Sequence, residues 1–474
     1  MSQHGGHAIV IGGSIAGMAA ARALSHFFDH VTIVERDEMP FTPERPREVP
    51  LTRRGVPQGA HLHGLLYVAR TTLDELYDAF TDEMLAIPTP FFDMCRHQAL
   101  LLPEGWIARA PGEFRVTFAT RWTTEWVVHK LTRQVPNITF DVGQVVGLAP
   151  SGNNKQVTGV VALRPDGGRH VIEADLVVDA SGRGSRAPGW VEELGYAPPV
   201  ETTVRSYLGY ATTYCRLPED AWPGDLRSIT APPIPGHSRG GSINPQEDGI
   251  VGVIAVGQAR DYPPRDREGF TEFLRTGVTP VIYEMWQRAE QICDIATTKT
   301  STNQLRRWHE MADRPQRFLA LGDAYAAFNP VYGQGITNAA ICAKTLRDRL
   351  REHDLDKAVD VLVQEFFEIS AFPWTTATMN DLAFDATETD NLDVPPPPEA
   401  VEYFAQVRRL ATEDPYVGGM MFRAIGTQDP SLLFAEPVAR RVVARAALPD
   451  GPPPDFTAPP LYALDRTPRA EDFV

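Results

Sequence analysis

The sequence predicts an α/β protein: a parallel sheet covered by helices, a second mixed sheet, and a helical C-terminal region. Three observations predict it. Ala8-Ile9-Val10-Ile11-Gly12, a helix-spaced segment and Val31-Thr32-Ile33-Val34 form one β-α-β unit. Leu176-Val177-Val178-Asp179 and Phe318-Leu319-Ala320-Leu321-Gly322 are two more continuous apolar runs, the pattern of parallel strands buried on both faces. The last third of the chain repeats apolar residues at helical spacing.

The elements follow in order. Small residues from Ser14 to Ala23, with Ile15, Met18, Ala19 and Leu24 on one stripe, predict the first helix. Residues 38–60 are rich in Pro, Arg and Gly and predict an extended loop. Helices are expected at 65–80 and 122–135, and strands at 138–141, 144–148 and 157–163. Asp166-Gly167-Gly168 predicts a hairpin turn into a strand at 169–174. Strands at 203–216 and 250–257 belong to the second sheet, with Ala231-Pro232-Pro233-Ile234-Pro235-Gly236 as a loop between them. Helices are predicted at 267–275, 278–290, 334–351, 356–371, 400–411, 416–425 and 435–446, with Pro395–Pro398 a polyproline spacer and an extended tail from Pro449.

At 474 residues the chain has room for about three domain-sized units. Lys plus Arg number 45 and Asp plus Glu 61, a net charge of −16. That balance argues against a nucleic-acid partner, which needs a basic face, and against docking on an anionic membrane. No apolar run reaches the ~18 residues of a membrane span, and the N-terminus does not read as a signal peptide. Cys95, Cys215, Cys293 and Cys342 are scattered without a CxxC pair, which predicts a reducing, cytoplasmic setting and no disulfide framework.

The chemistry concentrates in three ordered motifs. Gly12-Gly13-Ser14-Ile15-Ala16-Gly17 joins the first strand to the first helix. Gly12 permits the tight turn, Ser14 is small enough for a pyrophosphate to approach, and Gly17 lets helix and strand pack closely. The helix N-terminus offers amides and the positive end of its dipole to phosphates. Glu35, 23 residues after Gly12 at the end of the second strand, can accept from both hydroxyls of an adenosine ribose and would repel a 2′-phosphate. The second motif is Asp179-Ala180-Ser181-Gly182-Arg183-Gly184-Ser185-Arg186. The third is Gly322-Asp323-Ala324 with Asn329-Pro330-Val331-Tyr332-Gly333-Gln334-Gly335-Ile336. Each delivers an Asp from a buried strand and then a Gly-rich turn. Such a carboxylate can hold polyol hydroxyls, and helix-start amides can face a group that gains negative charge.

With these motifs in this order, the sequence resembles the single-component FAD-dependent monooxygenases of the para-hydroxybenzoate hydroxylase type, over about two thirds of the chain. The resemblance implies a Rossmann-like FAD-binding domain, FAD as cofactor and NAD(P)H as a transient co-substrate. It implies that Arg121 contacts the FAD, that the Val145 backbone meets the adenine and that Asp323 holds the ribityl chain. The amides of Gly335 and Ile336 would face the pyrimidine end of the flavin, and Pro330 would lie beside its ring. The cofactor set so assigned is Gly12, Ser14, Ile15, Ala16, Glu35, Arg36, Arg54, Arg121, Val145, Gly182, Asp323, Pro330, Gly333, Gly335 and Ile336, with His63 and Pro330 as catalytic candidates.

A narrower resemblance lies in Arg53-Arg54-Gly55-Val56-Pro57-Gln58-Gly59-Ala60-His61-Leu62-His63-Gly64. It is similar to a branch of bacterial polyketide-tailoring epoxidases and non-redox polyene cyclases. Ala60 stands where that branch more usually has an arginine, and no proline follows Arg121. The expected activity is insertion of one oxygen atom, by epoxidation or hydroxylation, into a hydrophobic polyketide- or terpenoid-like molecule. Non-redox cyclisation of a polyene is the alternative, and an alkene reductase a third.

The expected partners are that substrate and O2, and the expected assembly a monomer or homodimer. The implied division is a discontinuous FAD-binding domain at 1–66, 112–200 and 300–350. A substrate domain would occupy 67–111 and 201–299, and the helical region 351–474.

His61 and His63 lack a third ligand nearby, so no metal site is expected. His61 is expected to hydrogen-bond its own loop. Trp106, Phe114, Phe118, Trp122 and Trp126 suit a pocket or a core equally, as do Trp374, Met379 and Asp381 near a loop. No Gly-x-Ser-x-Gly, P-loop or Trp-x-Trp-x-Ile-Pro stretch occurs, which counts against hydrolase, NTPase and flavin-halogenase readings.

Overall fold

The computed structural model describes residues 4–39, 41–47, 52–392, 398–447, 453–460 and 464–471. Its first layer is a five-stranded parallel sheet in the order Phe318–Ala320, Leu176–Asp179, His7–Ile11, His30–Glu35, Ile138–Val142. The chain leaves His7–Ile11 to one side and later returns on the other. The carboxyl end of that central strand is therefore the switch point where α/β sheets bind ligands. Leu176–Asp179 is buried at all four positions, as its unbroken apolar run requires. The helices Ile15–Leu24, Arg121–Arg133 and Gly335–Glu352 cover the sheet. A three-stranded antiparallel meander, Gln144–Pro150, Val157–Leu163 and Arg169–Glu173, lies beside it.

The second layer is a ten-stranded mixed sheet. Its backbone is Ala296–Arg306, Glu201–Arg216, Val251–Gly257, Arg239–Pro245, Ser228–Ala231 and Gln98–Leu102. Strand alternation gives it two unlike faces. Ala99, Leu101, Ile229, Ala231, Ile243, Val253 and Ala255 point outward into a core sealed by the helices Arg267–Arg275 and Val281–Gln287. The opposite face looks onto the parallel layer.

Several expectations change. Ala296–Arg306 is a long strand whose polar, Thr-rich sequence carries no alternating signal. It crosses position 300 and takes the mixed sheet on to Arg306. Arg239–Pro245 contains glycines because its neighbour is close: a Cβ on Gly240 would lie 2.4 Å from the Ala231 carbonyl oxygen. The expected helix at 65–80 is two, Tyr67–Tyr77 and Phe80–Leu85, broken at Asp78 in the left-handed conformation. Both pack into the parallel-sheet core through Leu73, Leu76, Phe80 and Met84, so only the later part of 67–111 joins the mixed sheet.

The helix expected to end at 371 continues to Leu382 through Pro373. Proline normally breaks a helix interior, but Pro373, Ala377 and Thr378 are buried, and that packing outweighs the lost backbone bond. The spacer residues Pro395, Pro396 and Pro397 and the tail start at Pro449 lie outside the described residues; Pro398 opens the helix Pro398–Glu413. Farther along the tail, the Pro460 carbonyl accepts from Arg109 Nε and Nη2 at 3.0 and 2.7 Å, which holds the tail against the body.

Trp286 anchors the outer face. It is fully buried, donates from Nε1 to Thr271 at 2.9 Å and meets Phe270 edge-on at 5.3 Å. Trp286→Ala is expected to lower the unfolding free energy by about 3–5 kcal/mol, measured by urea denaturation.

Candidate active site

The cavity between the two layers has a volume of about 1220 Å³. Every residue assigned to the cofactor set, and His63, lines it. Seven segments far apart in sequence meet there: the glycine turn, the end of the second strand, the loop that carries Arg54 and His63, the start of the helix at Arg121, Val145 in the meander, Gly182, and Asp323 to Ile336.

The glycine turn is built by close contact. Gly12 has φ +101°, and a Cβ on Gly17 would stand 1.8 Å from the Gly12 carbonyl oxygen. Only glycine at 17 allows the first helix to start so near the first strand. Glu35 Oε2 accepts the Gly13 amide at 2.7 Å, and Oε1 accepts the Asp37 amide at 3.0 Å. This leaves the carboxylate acceptor capacity toward the cavity.

Arg121 opens its helix and lies against the turn. Its Nη2 donates to Ser14 Oγ at 2.5 Å and pairs with Glu125 Oε2 at 3.2 Å. Its Nε and Nη1 are sealed from solvent and have no partner. Burial lowers its pKa, opposed by Glu125 and Asp323, but a guanidinium stays protonated. Unspent donors on a buried cation beside a helix N-terminus suit a phosphate.

Arg53 and Glu125 are site residues that the sequence reading left out. Glu125 Oε1 accepts Arg53 Nε at 3.2 Å and Nη2 at 2.8 Å, while Arg53 Nη1 lies 3.4 Å from Glu35 Oε2 and 3.2 Å from Asp37. Burial works to lower the Arg53 pKa, and Glu125 and Glu35 outweigh it. The i, i+4 spacing of Arg121 and Glu125 was the available signal, once the helix expected from 122 is seen to start at Arg121. Arg36 and Arg54 line the cavity without such pairing to the turn.

The two Asp motifs differ. Asp179 does not face the cavity: its oxygens accept the Ser181 amide at 3.0 Å and the Ser185 hydroxyl at 2.5 Å. It clamps its own loop, and Ala180 to Gly184 with Arg186 reach the wall in its place. Asp323 does line the cavity. Burial raises its pKa, while Arg183, Arg121 and Arg306 oppose the rise. The helix Gly335–Glu352 starts in the cavity wall and presents its first amides there. Val145 lines the wall where its strand bulges.

Asp381 sits in the extended helix, not in a loop. It accepts Tyr332 Oη at 2.7 Å, Asn303 Nδ2 at 2.7 Å and Asn329 Nδ2 at 3.2 Å, and so fixes the Asn329–Gly333 turn from behind. Burial raises its pKa, against these bonds. Of the aromatic cluster only Phe118 lines the cavity; Trp106, Phe114, Trp122 and Trp126 belong to cores. Met379 lines the cavity too, while Trp374 packs on the first core.

The His61 side chain bonds Thr212, Nδ1 to Oγ1 at 2.9 Å, while its backbone bonds its own loop, the amide donating to the Gln58 carbonyl at 3.0 Å. His63 Nδ1 lies 2.9 Å from the His61 carbonyl, which can only accept, so Nδ1 carries the proton and Nε2 is bare. Burial pushes the His63 pKa down to about 3, with Arg121 adding to it, and burial alone puts His61 at about 4. Both are neutral near pH 7, and His63 is an acceptor there rather than an acid.

No protein-family model matches the chain. It is 28% identical over 453 residues to Protein Rv3254 of Mycobacterium tuberculosis (strain ATCC 25618 / H37Rv), across 92% of this chain and 93% of that protein. Among solved structures, the flavin-dependent brominase Bmp2 superposes with a TM-score of 0.63 at 12% identity, across 93% of this chain and 99% of the other. The p-nitrophenol 4-monooxygenase PnpA from Pseudomonas putida DLL-E4 gives 0.59 at 14%, across 91% and 99%. The chain has the fold of these two proteins.

The lowered histidine pKa values fix a pH trend. The unfolded chain takes up protons near the ordinary value of 6.5, the folded chain only near 4 and 3. Stability is full above about pH 6.5 and falls on acidification, by about 1.4 kcal/mol per pH unit for each histidine. The double variant His61→Gln, His63→Gln is expected to show a shallower loss between about pH 6 and 4 in urea unfolding.

Proposed function

We propose that the cavity binds FAD and that the protein is a FAD-dependent monooxygenase that uses NAD(P)H and O2. The observation that carries this reading is Arg121: a buried guanidinium with two unspent donors, bonded to Ser14 at a helix N-terminus, with Glu35 at the neighbouring strand end. The fold likeness to flavin enzymes supports the same reading.

FAD bound there supplies reduction by NAD(P)H and activation of O2. The chain's residues do the rest. Arg121 and the first amides of the helix Ile15–Leu24 take the pyrophosphate, and Glu35 accepts from the adenosine ribose. Asp323 takes a ribityl hydroxyl. The amides of Gly335 and Ile336 face the pyrimidine edge and stabilise negative charge there. Asp381 holds the Asn329–Gly333 turn, and with it Pro330, in place. The mixed sheet keeps water from the reacting group, with Leu208, Ile254 and Val256 on the wall.

The substrate is a hydrophobic polyketide- or terpenoid-like molecule that gains one oxygen atom by epoxidation or hydroxylation. The apolar wall and the narrower likeness of residues 53–64 to polyketide-tailoring enzymes support this class.

The purified protein is expected to carry stoichiometric flavin, to be reduced by NADPH without air, and to give a product heavier by one oxygen atom in mass spectrometry. Colourless protein that takes up no FAD overturns the reading. A product of unchanged mass formed without NADPH assigns the protein to cyclisation instead. Asp323→Ala is expected to lose most bound FAD on gel filtration. Arg121→Met is expected to weaken FAD at least tenfold, since a charge-assisted bond contributes about 1.5–3 kcal/mol.

A further inference from the structure

The cavity-facing side of the mixed sheet is apolar at one end and polar at the other. Ser242 and Asn244 face the cavity from one strand, Thr230 from the next and Gln98 from the one beyond. The hydrogen bonds among them have a direction. Ser242 Oγ donates to the Ile229 carbonyl at 3.0 Å. That commits its proton, so in the 2.9 Å contact with Thr230 Oγ1 the threonine is the donor. Asn244 Nδ2 donates to the same Ser242 oxygen at 2.7 Å, and Asn244 Oδ1 accepts from Ser228. The hydroxyl protons of Ser228, Thr230 and Ser242 are all donated within the sheet.

Acceptors remain. Thr230 Oγ1 keeps its lone pairs. Gln98 Oε1 is sealed from solvent and unpartnered, on a residue that is only 7% exposed. A buried acceptor without a donor costs about 1–3 kcal/mol, and a ligand that brings a donor relieves that cost. Among the described residues, an anion finds no counter-charge on this side. Arg36, Arg53, Arg54, Arg121, Arg183 and Arg186 line the cavity from the parallel-sheet end. Arg408 lines it too, but both oxygens of Glu104 hold it at 2.8–3.0 Å.

We infer that Gln98 and Thr230 form a subsite for a neutral hydrogen-bond donor, a hydroxyl or N–H group, on an otherwise apolar substrate, and that this subsite selects against carboxylates. The inference rests on the reading of this cavity as the substrate site.

The test is equilibrium dialysis of the full chain, with its bound cofactor, at pH 7 against 1-pyrenemethanol, its methyl ether and 1-pyrenecarboxylate. The alcohol is expected to bind about tenfold tighter than the other two, and Gln98→Leu and Thr230→Val each to bring alcohol and ether within about threefold of each other. The inference is overturned by equal binding of alcohol and ether, by tighter binding of the carboxylate, or by no binding of the alcohol. A preference that survives both substitutions overturns it as well. Dialysis reads occupancy without turnover. Missing flavin or missing oxygenated product therefore counts against the proposed reaction, and a missing alcohol preference with flavin present counts against the subsite.

Discussion

A ring of buried charges ties the site together. It starts at the Gly13 amide, passes through Glu35, Arg53, Glu125 and Arg121, and returns to Ser14. Charges of this kind are costly to take from water, and their attraction offsets the cost only with good geometry and further hydrogen bonds. Removing one member of a buried pair typically costs 3–5 kcal/mol, because the other charge is left alone. The ring therefore specifies four separate pieces at once: the glycine turn, the end of the second strand, the later part of the 38–60 loop and the helix at 121. It also leaves Arg121 with donors to spare, which is the property a phosphate site needs. In a chain of net charge −16, anion binding depends on such local arrangements.

The second constraint is the period of a strand. The mixed sheet sends alternate residues to opposite sides, so one set of strands builds a sealed outer core and a cavity wall together. Ile243 joins the core while Ser242 and Asn244 face the cavity. A shift of one residue would exchange the two sets. The outer helices, held by Trp286, keep that register in place from behind.

Much of this was legible in sequence. The apolar strands, the glycine turn, the terminal Glu35 and the order of the three motifs placed the cofactor set on the residues that do line one cavity. Those features are local: a turn needs glycine, a buried strand needs an unbroken apolar run. What was missed or misread was of two kinds. Ala296–Arg306 and Arg239–Pro245 are strands whose polar and glycine content reflects neighbours, so they carry no periodic signal. The helix through Pro373 and the roles of Asp179 and Asp381 depended on direction. Asp179 is delivered as expected but turns inward to Ser181 and Ser185, whereas Asp381 is brought under a motif from about fifty residues farther along.

The sequence by itself determined the fold class, the strand ends that line the cavity and the residue types at the turn, because propensity, periodicity and glycine sterics act over a few residues. Only the tertiary structure decided which charges pair across the ring, which face of the mixed sheet is polar and which buried groups lack a partner. Those depend on distances between segments far apart in the chain. A hydrogen bond or ion pair forms only when folding brings both groups within about 3 Å in the right orientation.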